Sequence, residues 1–282
     1  MARLKEWEEL TVADNFLFQR VMQNENLCKT LIEKILKRKI KEVYLPELEK
    51  VIDIDNKQKS VRLDLYVKTD DDIILDIEMQ TTDNPAGELP KRARYYQGMI
   101  DLDTLVKGDD FEELKESYVI FICTFDPFNS GRVIYTFKNI CKEDKRINLN
   151  DKATKIFVNA KGNKGEIDDE FKGFLDYLIG MAPSGNFAEA VSKEAERIKL
   201  HKETRLEYMT YLMELRRERR EAYKEGEVKG EAKERLSSIR NLIEATKWSI
   251  DKAMDTLKIP VNERETYKAK ILGGGSLNQP MS

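Results

Sequence analysis

Over residues 13–37 the apolar positions Phe16, Val21, Leu27, Leu31, Ile32, Ile35 and Leu36 return mainly at three- and four-residue intervals. That spacing predicts one or two amphipathic helices, with a break near Asn24. Between Glu42 and Gln80 the period shortens to two, in the segments EVYL, VIDID, VRLDLYV and DIILDIEMQ. These alternating runs, rich in Val, Ile, Leu and Tyr, predict strands. Three more strands are predicted over residues 117–125, 133–138 and 154–160, with a helix over about 89–105 before them. Another helix is predicted over 168–179, where Phe171, Phe174, Leu175 and Leu178 repeat at helical spacing. Helix, meander, helix, strands, helix is the order of an α/β fold with a central mixed sheet flanked by helices.

The pattern changes after MAPSGN at residues 181–186, which marks a boundary. A first domain is therefore predicted over 1–185. A charged helical stretch over 186–235 follows, with RRERR at 216–220 and an echo of Gly-Glu-Val-Lys in Gly-Glu-Ala-Lys. It reads either as a dimerisation segment, with Leu206, Leu212, Met213 and Leu215 as a short seam, or as a solvated tether. Residues 236–272 carry three short helical units: SIRNLIEAT, SIDKAMDTLKI capped by Ser249, and the run after Pro260. The pair resembles a helix-turn-helix, although many three-helix packings share the pattern. GGGSLNQPMS, in the segment 273–282, predicts a flexible tail.

Composition narrows the chemistry. The 282 residues include 49 Lys and Arg against 52 Asp and Glu, a net charge of −3, so any nucleic-acid contact must use local patches. One such patch is Lys29, Lys34, Lys37, Arg38, Lys39 and Lys41, either a solvated helix end or a phosphate contact. A single histidine, His201, lies in a charged helical run and is expected at the surface. Mechanisms built on a histidine base or a multi-histidine zinc site would all have to recruit that one residue. Cys28, Cys123 and Cys141 are far apart and form no CxxC, which predicts free thiols in a reducing compartment. No signal-peptide pattern or apolar run of transmembrane length is present, so a soluble, cytoplasmic protein that does not engage membrane is expected.

The strands carry the candidate chemistry. By parity, Val61, Leu63, Leu65 and Val67 share one face of VRLDLYVK, and Arg62, Asp64, Tyr66 and Lys68 the other. In the next strand Ile74, Asp76, Glu78 and Gln80 share a face. A hairpin with Asp70, Asp71 and Asp72 as its loop sets Asp64 opposite Glu78 and Arg62 opposite Gln80. Three carboxylates gathered on one face of a strand pair repel one another. Either that face is simply wet, or a hard divalent cation such as Mg²⁺ offsets the repulsion, taking oxygen ligands from the chain, water and substrate phosphate.

Asp64 within RLD, then Glu78-Met79-Gln80 on the following strand, then a helix with Arg94-Tyr95-Tyr96, resembles the PD-(D/E)xK nuclease superfamily, specifically its recombination-promoting nuclease (Rpn) or transposase group. Asp14-Asn15-Phe16 stands where that group opens a helix with an acidic residue and an aromatic. The resemblance covers about residues 10–161. It implies a restriction-endonuclease-like core and Asp64, Glu78 and Gln80 as catalytic residues, with Asp64 and Glu78 as ligands to Mg²⁺ (Mn²⁺ as substitute). The carbonyl of Ile77 or Met79 is a further ligand candidate. Gln80 occupies the position where most of the superfamily has lysine; an amide orients water or phosphate but supplies no charge. The proline that usually precedes the motif aspartate is replaced by Leu63. Asp14 is either a third metal ligand or the N-cap of the first helix.

On the helix after the active strands, Lys91, Arg94 and Tyr96 are candidate DNA contacts, with one of the two tyrosines expected to pack inward. Arg62 is either a salt-bridge partner of the carboxylates or a phosphate clamp. The implied function is a metal-dependent DNA endonuclease, a homodimer, linked to recombination or mobile elements. The competing expectation is a catalytically weak nuclease-like scaffold acting through its C-terminal helices.

Overall fold

In a computed structural model, which describes residues 3–44, 47–53, 60–82 and 87–273, the first helical stretch divides at Asn24. Helix α1 (Asn15–Met22) ends there and α2 (Glu25–Leu36) begins, the Asn24 side chain accepting hydrogen bonds from the amides of Asn26 and Leu27. An Asn at this position satisfies two amides that have no partner within the helix. Lys37, in the left-handed region at φ 53°, closes α2.

The strands are β1 (Glu47–Ile52), β2 (Val61–Lys68), β3 (Ile74–Gln80), β4 (Ser117–Cys123), β5 (Ile134–Phe137) and β6 (Ala153–Asn159), with α3 (Leu89–Thr104) between β3 and β4. They form one six-stranded sheet in the order β1-β2-β3-β4-β6-β5. β1, β2 and β3 are antiparallel neighbours; β3, β4 and β6 run parallel; β5 returns antiparallel to β6. EVYL forms no strand among the described residues: Val43 makes a single bridge to Thr69, and the end of VIDID lies outside the described residues. The β2–β3 turn is closed by Thr69 N–H donating to the Ile73 carbonyl at 3.0 Å, with Asp72 at φ 60°. A short acidic side chain tolerates that left-handed backbone better than most.

Both faces of the parallel strands are covered, which is why SYVIFIC reads as a continuous apolar run with every residue buried. On one face Leu89, Ala93, Met99 and Ile100 of α3 pack with Leu63, Ile74, Val119, Phe121 and Phe157. Apart from Ala93, each such side chain contributes on the order of 1.5–3 kcal/mol by leaving water. Residues of the other parity, Leu75, Ile77, Ile120, Ile122, Ile156 and Val158, are equally buried. Helix α1 packs on β2 and β3, and also on α5 (Asn186–Leu200), which lies against α4 (Asp169–Leu178) and α2.

The chain divides into two compact units, residues 1–208 and 209–282. The first therefore continues past MAPSGN. That segment is a tight connection between packed helices: a Cβ at Gly173 would lie 1.9 Å from the Ser184 carbonyl oxygen, and Glu170 accepts the Phe187 amide at 2.8 Å. Phe187, Ala188 and Val191 are buried in the same unit. His201 is exposed, at the break between α5 and α6 (Lys202–Thr246). SIRNLIEAT is no separate helix but the end of α6. In the second unit Leu236, Ile239, Ala253, Met254, Ile259 and Tyr267 form a core with α7 (Ile250–Thr256) and α8 (Val261–Leu272), and Ser249 caps α7 through the Lys252 amide. The predicted tail from residue 274 lies outside the described residues.

Candidate active site

The β2–β3 ladder pairs Lys68 with Ile74, Val67 with Leu75 and Tyr66 with Asp76. The same register, carried two residues further, sets Asp64 against Glu78. There the main-chain rung is replaced by a side chain: Asp64 N–H donates to Glu78 Oε1 at 3.0 Å. On the other side of β2, the β1 pairing steps over Glu49, the residue in register with Asp64, which sits at φ 51°. A left-handed glutamate inside a strand costs about 1–3 kcal/mol, and such strain clusters at functional sites.

Asp64, Asp76 and Glu78 are all buried. Asp64 Oδ1 accepts from Gln19 Nε2 of α1 at 3.3 Å, while its Oδ2 and both oxygens of Asp76 have no hydrogen-bond donor among the described residues. Burial pushes the Asp64 carboxyl up to about 6. Burial and the neighbouring Asp64 charge hold Asp76 well above the ordinary carboxylate range; Glu78 is raised by burial and by the charges of both aspartates. Buried carboxylate oxygens without donors, beside like charges, are a costly arrangement that a cation would relieve.

The cation that the chain itself supplies is Arg92, from α3. Its Nη2 lies 3.0 Å from Glu78 Oε2 and 3.0 Å from the Tyr96 hydroxyl, and its Nη1 donates to Gln80 Oε1 at 3.2 Å. The guanidinium stands 5.3 Å from the centroids of Tyr96 and Phe121. It remains 27% exposed, a charge at the rim of a buried acidic cluster. The sequence pattern pointed to its neighbours Lys91 and Arg94 instead. The overlooked signal is the i,i+4 pair Arg92–Tyr96, which shares a helix face with buried Leu89, Ala93 and Ile100.

The structure thus brings Asp64, Glu78, Gln80 and Tyr96 together around Arg92. Tyr96 is the inward tyrosine, stacked on Phe121 at 6.2 Å. Lys91 and Arg94 are exposed on α3, and Arg62 is exposed on β2 without an ion pair among the described residues. Asp14 takes the N-cap position of α1, where its Oδ2 accepts from the Thr11 amide at 2.7 Å and from Lys5 at 2.7 Å; it is not joined to Asp64 or Glu78. Half of the basic patch after α2 is paired with carboxylates, Lys34 with Asp168, Arg38 with Asp71 and Lys39 with Glu33, while Lys29 and Lys37 donate to the carbonyls of Lys41 and Glu166. The cleft of about 550 Å³ beside it is lined by Glu33, Glu166 and Asp168 as well as by cations.

Among the described residues no three acidic, histidine or cysteine side chains form a ready-made cation cage. Asp64, with its unpartnered Oδ2, beside Glu78 does fit a hard cation of the Mg²⁺ kind, which commonly takes one or two carboxylates and completes its shell with water and phosphate. A mixed six-stranded sheet with a buried Asp/Glu pair on adjacent strands defines a restriction-endonuclease-like fold. A family model of PD-(D/E)XK nuclease family transposases matches residues 14–238, and the chain belongs to that family. Comparison with curated proteins and with solved structures gives no match.

Proposed function

We propose that the protein is a divalent-metal-dependent DNA endonuclease acting in recombination or mobile-element biology. The observation that carries this reading is the donorless Asp64 Oδ2 beside Glu78, at the point where the β2–β3 ladder gives way to a side-chain rung. Asp64 and Glu78 would hold Mg²⁺ or Mn²⁺. The bound cation supplies a Lewis acid that polarises a phosphate and lowers the pKa of water.

The residues around it divide the remaining work. Gln80 has an amide with which to orient water or a phosphate oxygen, and its Oε1 is held at 3.2 Å by Arg92. Arg92 contributes the positive charge that Gln80 lacks, and its fork can turn from Glu78 to a phosphate once the carboxylate is occupied. Gln19 fixes Asp64 from α1. Lys91, Arg94 and Arg62 flank the approach as DNA contacts, Tyr96 reaches the DNA only through the Arg92 it holds, and homodimerisation through the C-terminal helices would add a second basic surface.

Cleavage of supercoiled and linear DNA with Mg²⁺, Mn²⁺ or EDTA tests the reading. Wild type should nick or linearise DNA only with metal, and Asp64→Ala and Glu78→Ala should each abolish the reaction with folding intact. DNA left intact by wild type, or cut equally by both variants, would overturn it.

A further inference from the structure

We propose that the loops following β4 and β6 form a rigid cationic platform, presenting Arg132 and Lys161, which carries the DNA strand away from the active site across the carboxyl ends of the parallel strands. This rests on the nuclease reading above. The register fixes the placement. Gln80 at the end of β3 is level with Cys123 of β4 and Asn159 of β6, and Asn159 N–H donates to the Val133 carbonyl just before β5. With strands about 4.8 Å apart, Asn159 lies about 10 Å from Gln80 and Val133 about 14 Å away. That is the rise of roughly four nucleotides along one strand. Open α/β sheets characteristically bind ligands outside these carboxyl ends.

The two loops are laced together. Gly131 O accepts the amides of Asn163 and Lys164, Lys164 O accepts the amide of Val133, and Lys164 Nζ reaches the Ser130 carbonyl at 3.0 Å. A Cβ at Gly162 would lie 2.6 Å from both the Arg132 carbonyl oxygen and Val133 Cα, so the two backbones touch. Asp126 is turned inward: its oxygens accept from the amides of Phe128 and Gly131 and from the Tyr135 hydroxyl. Although burial works against it, these bonds hold its carboxyl below the ordinary range, so its charge is spent on the loop. The first loop is also tied to the active strand, Thr124 N–H donating to the Gln80 carbonyl at 3.0 Å.

Against this braced, charge-satisfied background the Arg132 and Lys161 side chains are exposed and make no hydrogen bond or ion pair among the described residues. In the segment after α2, by contrast, Lys34, Arg38 and Lys39 are each paired with a carboxylate. Two unmatched cations on a preorganised surface level with Gln80 fit successive phosphates, with little ordering cost on binding.

The test measures binding of a labelled DNA duplex by the full chain in EDTA, across a salt series. Relative to wild type, Arg132→Ala/Lys161→Ala should bind about tenfold more weakly near 0.1 M salt and lower the slope of log K against log salt by about 1.8, two lost phosphate contacts. Lys138→Ala/Lys145→Ala, at the opposite end of β5 and β6, is the control and should match wild type. Unchanged affinity and slope in the first variant, or an equal loss in the control, would overturn the platform while leaving the nuclease reading standing. Wild type that binds no DNA would overturn both.

Discussion

The Asp64 amide and the Glu78 carboxylate are joined at 3.0 Å, so one candidate ligand anchors the backbone that carries the other. The bond serves two purposes. It satisfies an amide that the splayed ladder leaves without a carbonyl, and it fixes one Glu78 oxygen while Arg92 holds the second. Charge and hydrogen bonding at Glu78 can therefore be separated by mutation. Glu78→Gln keeps an acceptor for Asp64 N–H and should fold at least as stably as wild type without metal, because it removes repulsion from Asp64 and Asp76. Glu78→Ala leaves the amide unpaired and should lose about 1–3 kcal/mol in urea denaturation. Both should lose DNA cleavage by about a hundredfold or more, the several kcal/mol a Lewis acid contributes. Equal stability of the two variants would sink the structural role given to the bond.

The acidic cluster also sets a pH dependence opposite to that of an ordinary salt-bridged carboxylate. Asp64 is raised from 3.8 to about 6, chiefly by burial. A carboxyl with a raised folded-state pKa binds more protons native than unfolded, so its favourable contribution is full below about pH 4 and is lost as pH climbs through about 6. Asp76 and Glu78, shifted in the same direction, extend the loss to higher pH. In metal-free buffer the protein should be more stable near pH 5 than near pH 8, with Asp64 alone accounting for about 1.4 kcal/mol of the difference, one pKa unit. Asp64→Asn should flatten the profile. Denaturation midpoints across that range check it, and a monotonic rise in stability with pH in both proteins would contradict it.

Among the described residues, Arg92 is the one cation touching both Glu78 and Gln80. Arg92→Ala should destabilise by about 1–3 kcal/mol, less than a fully buried pair would, because the guanidinium is partly solvated. Arg92→Lys restores charge but not the fork to Glu78, Gln80 and Tyr96, so it should recover stability more than cleavage. Single-turnover rates beside unfolding curves separate the two. Full cleavage by Arg92→Ala would remove Arg92 from the site.

What the sequence made legible follows the same physics. A period-two pattern puts Asp64 on one face of its strand and Asp76, Glu78 and Gln80 on one face of the next, and a short acidic turn makes the pairing of Asp64 with Glu78 one register among those the order of residues allows. Arg92 is set apart from Lys91 and Arg94 in the sequence only by its i,i+4 relation to Tyr96, because the rotation of α3 is set by burial of Leu89, Ala93, Met99 and Ile100 against strands distant in sequence. Glu49 gave no sign either, since a left-handed residue in a strand is imposed by tertiary packing. MAPSGN has the composition of a linker, yet helix α5 returns onto α4 directly after it. Pro, Ser and Gly mark a reversal of the chain without saying whether a new unit follows. Cutting the chain at residue 187 would therefore strip Phe187, Ala188 and Val191 from the first unit's core, and a truncation meant to preserve it must run to 208.

That connection yields a stability prediction independent of the site. Gly173 lies in the middle of α4, where glycine is normally unfavourable, and it does so because the Ser184 carbonyl passes where a Cβ would stand. Gly173→Ala gains helix propensity of about 1 kcal/mol but must push α4 and the α5 connection apart. The net effect should be a loss of about 1–3 kcal/mol, the usual cost of overpacking. A stabilised variant in thermal denaturation would show that the contact relaxes freely.

Metal binding should be visible in stability before any DNA is added. The unpartnered Asp64 Oδ2 and the charge of Glu78 are unfavourable in the metal-free fold, so a bound divalent cation gains their repulsion as binding energy and stabilises the native state by mass action. At a concentration ten times its dissociation constant the gain is about 1.4 kcal/mol, which for a unit of this size raises the melting temperature by roughly 3–6 °C. The increase should be larger at pH 8 than at pH 5, where protons compete for the raised carboxyls, and should vanish in Asp64→Asn. Asp14→Asn should keep it, because Asp14 is committed to Thr11 and Lys5. Scanning fluorimetry with Mg²⁺, Mn²⁺ and Ca²⁺ at both pH values distinguishes these outcomes. A shift that survives Asp64→Asn, or one lost in Asp14→Asn alone, would move the cation away from the β2–β3 pair.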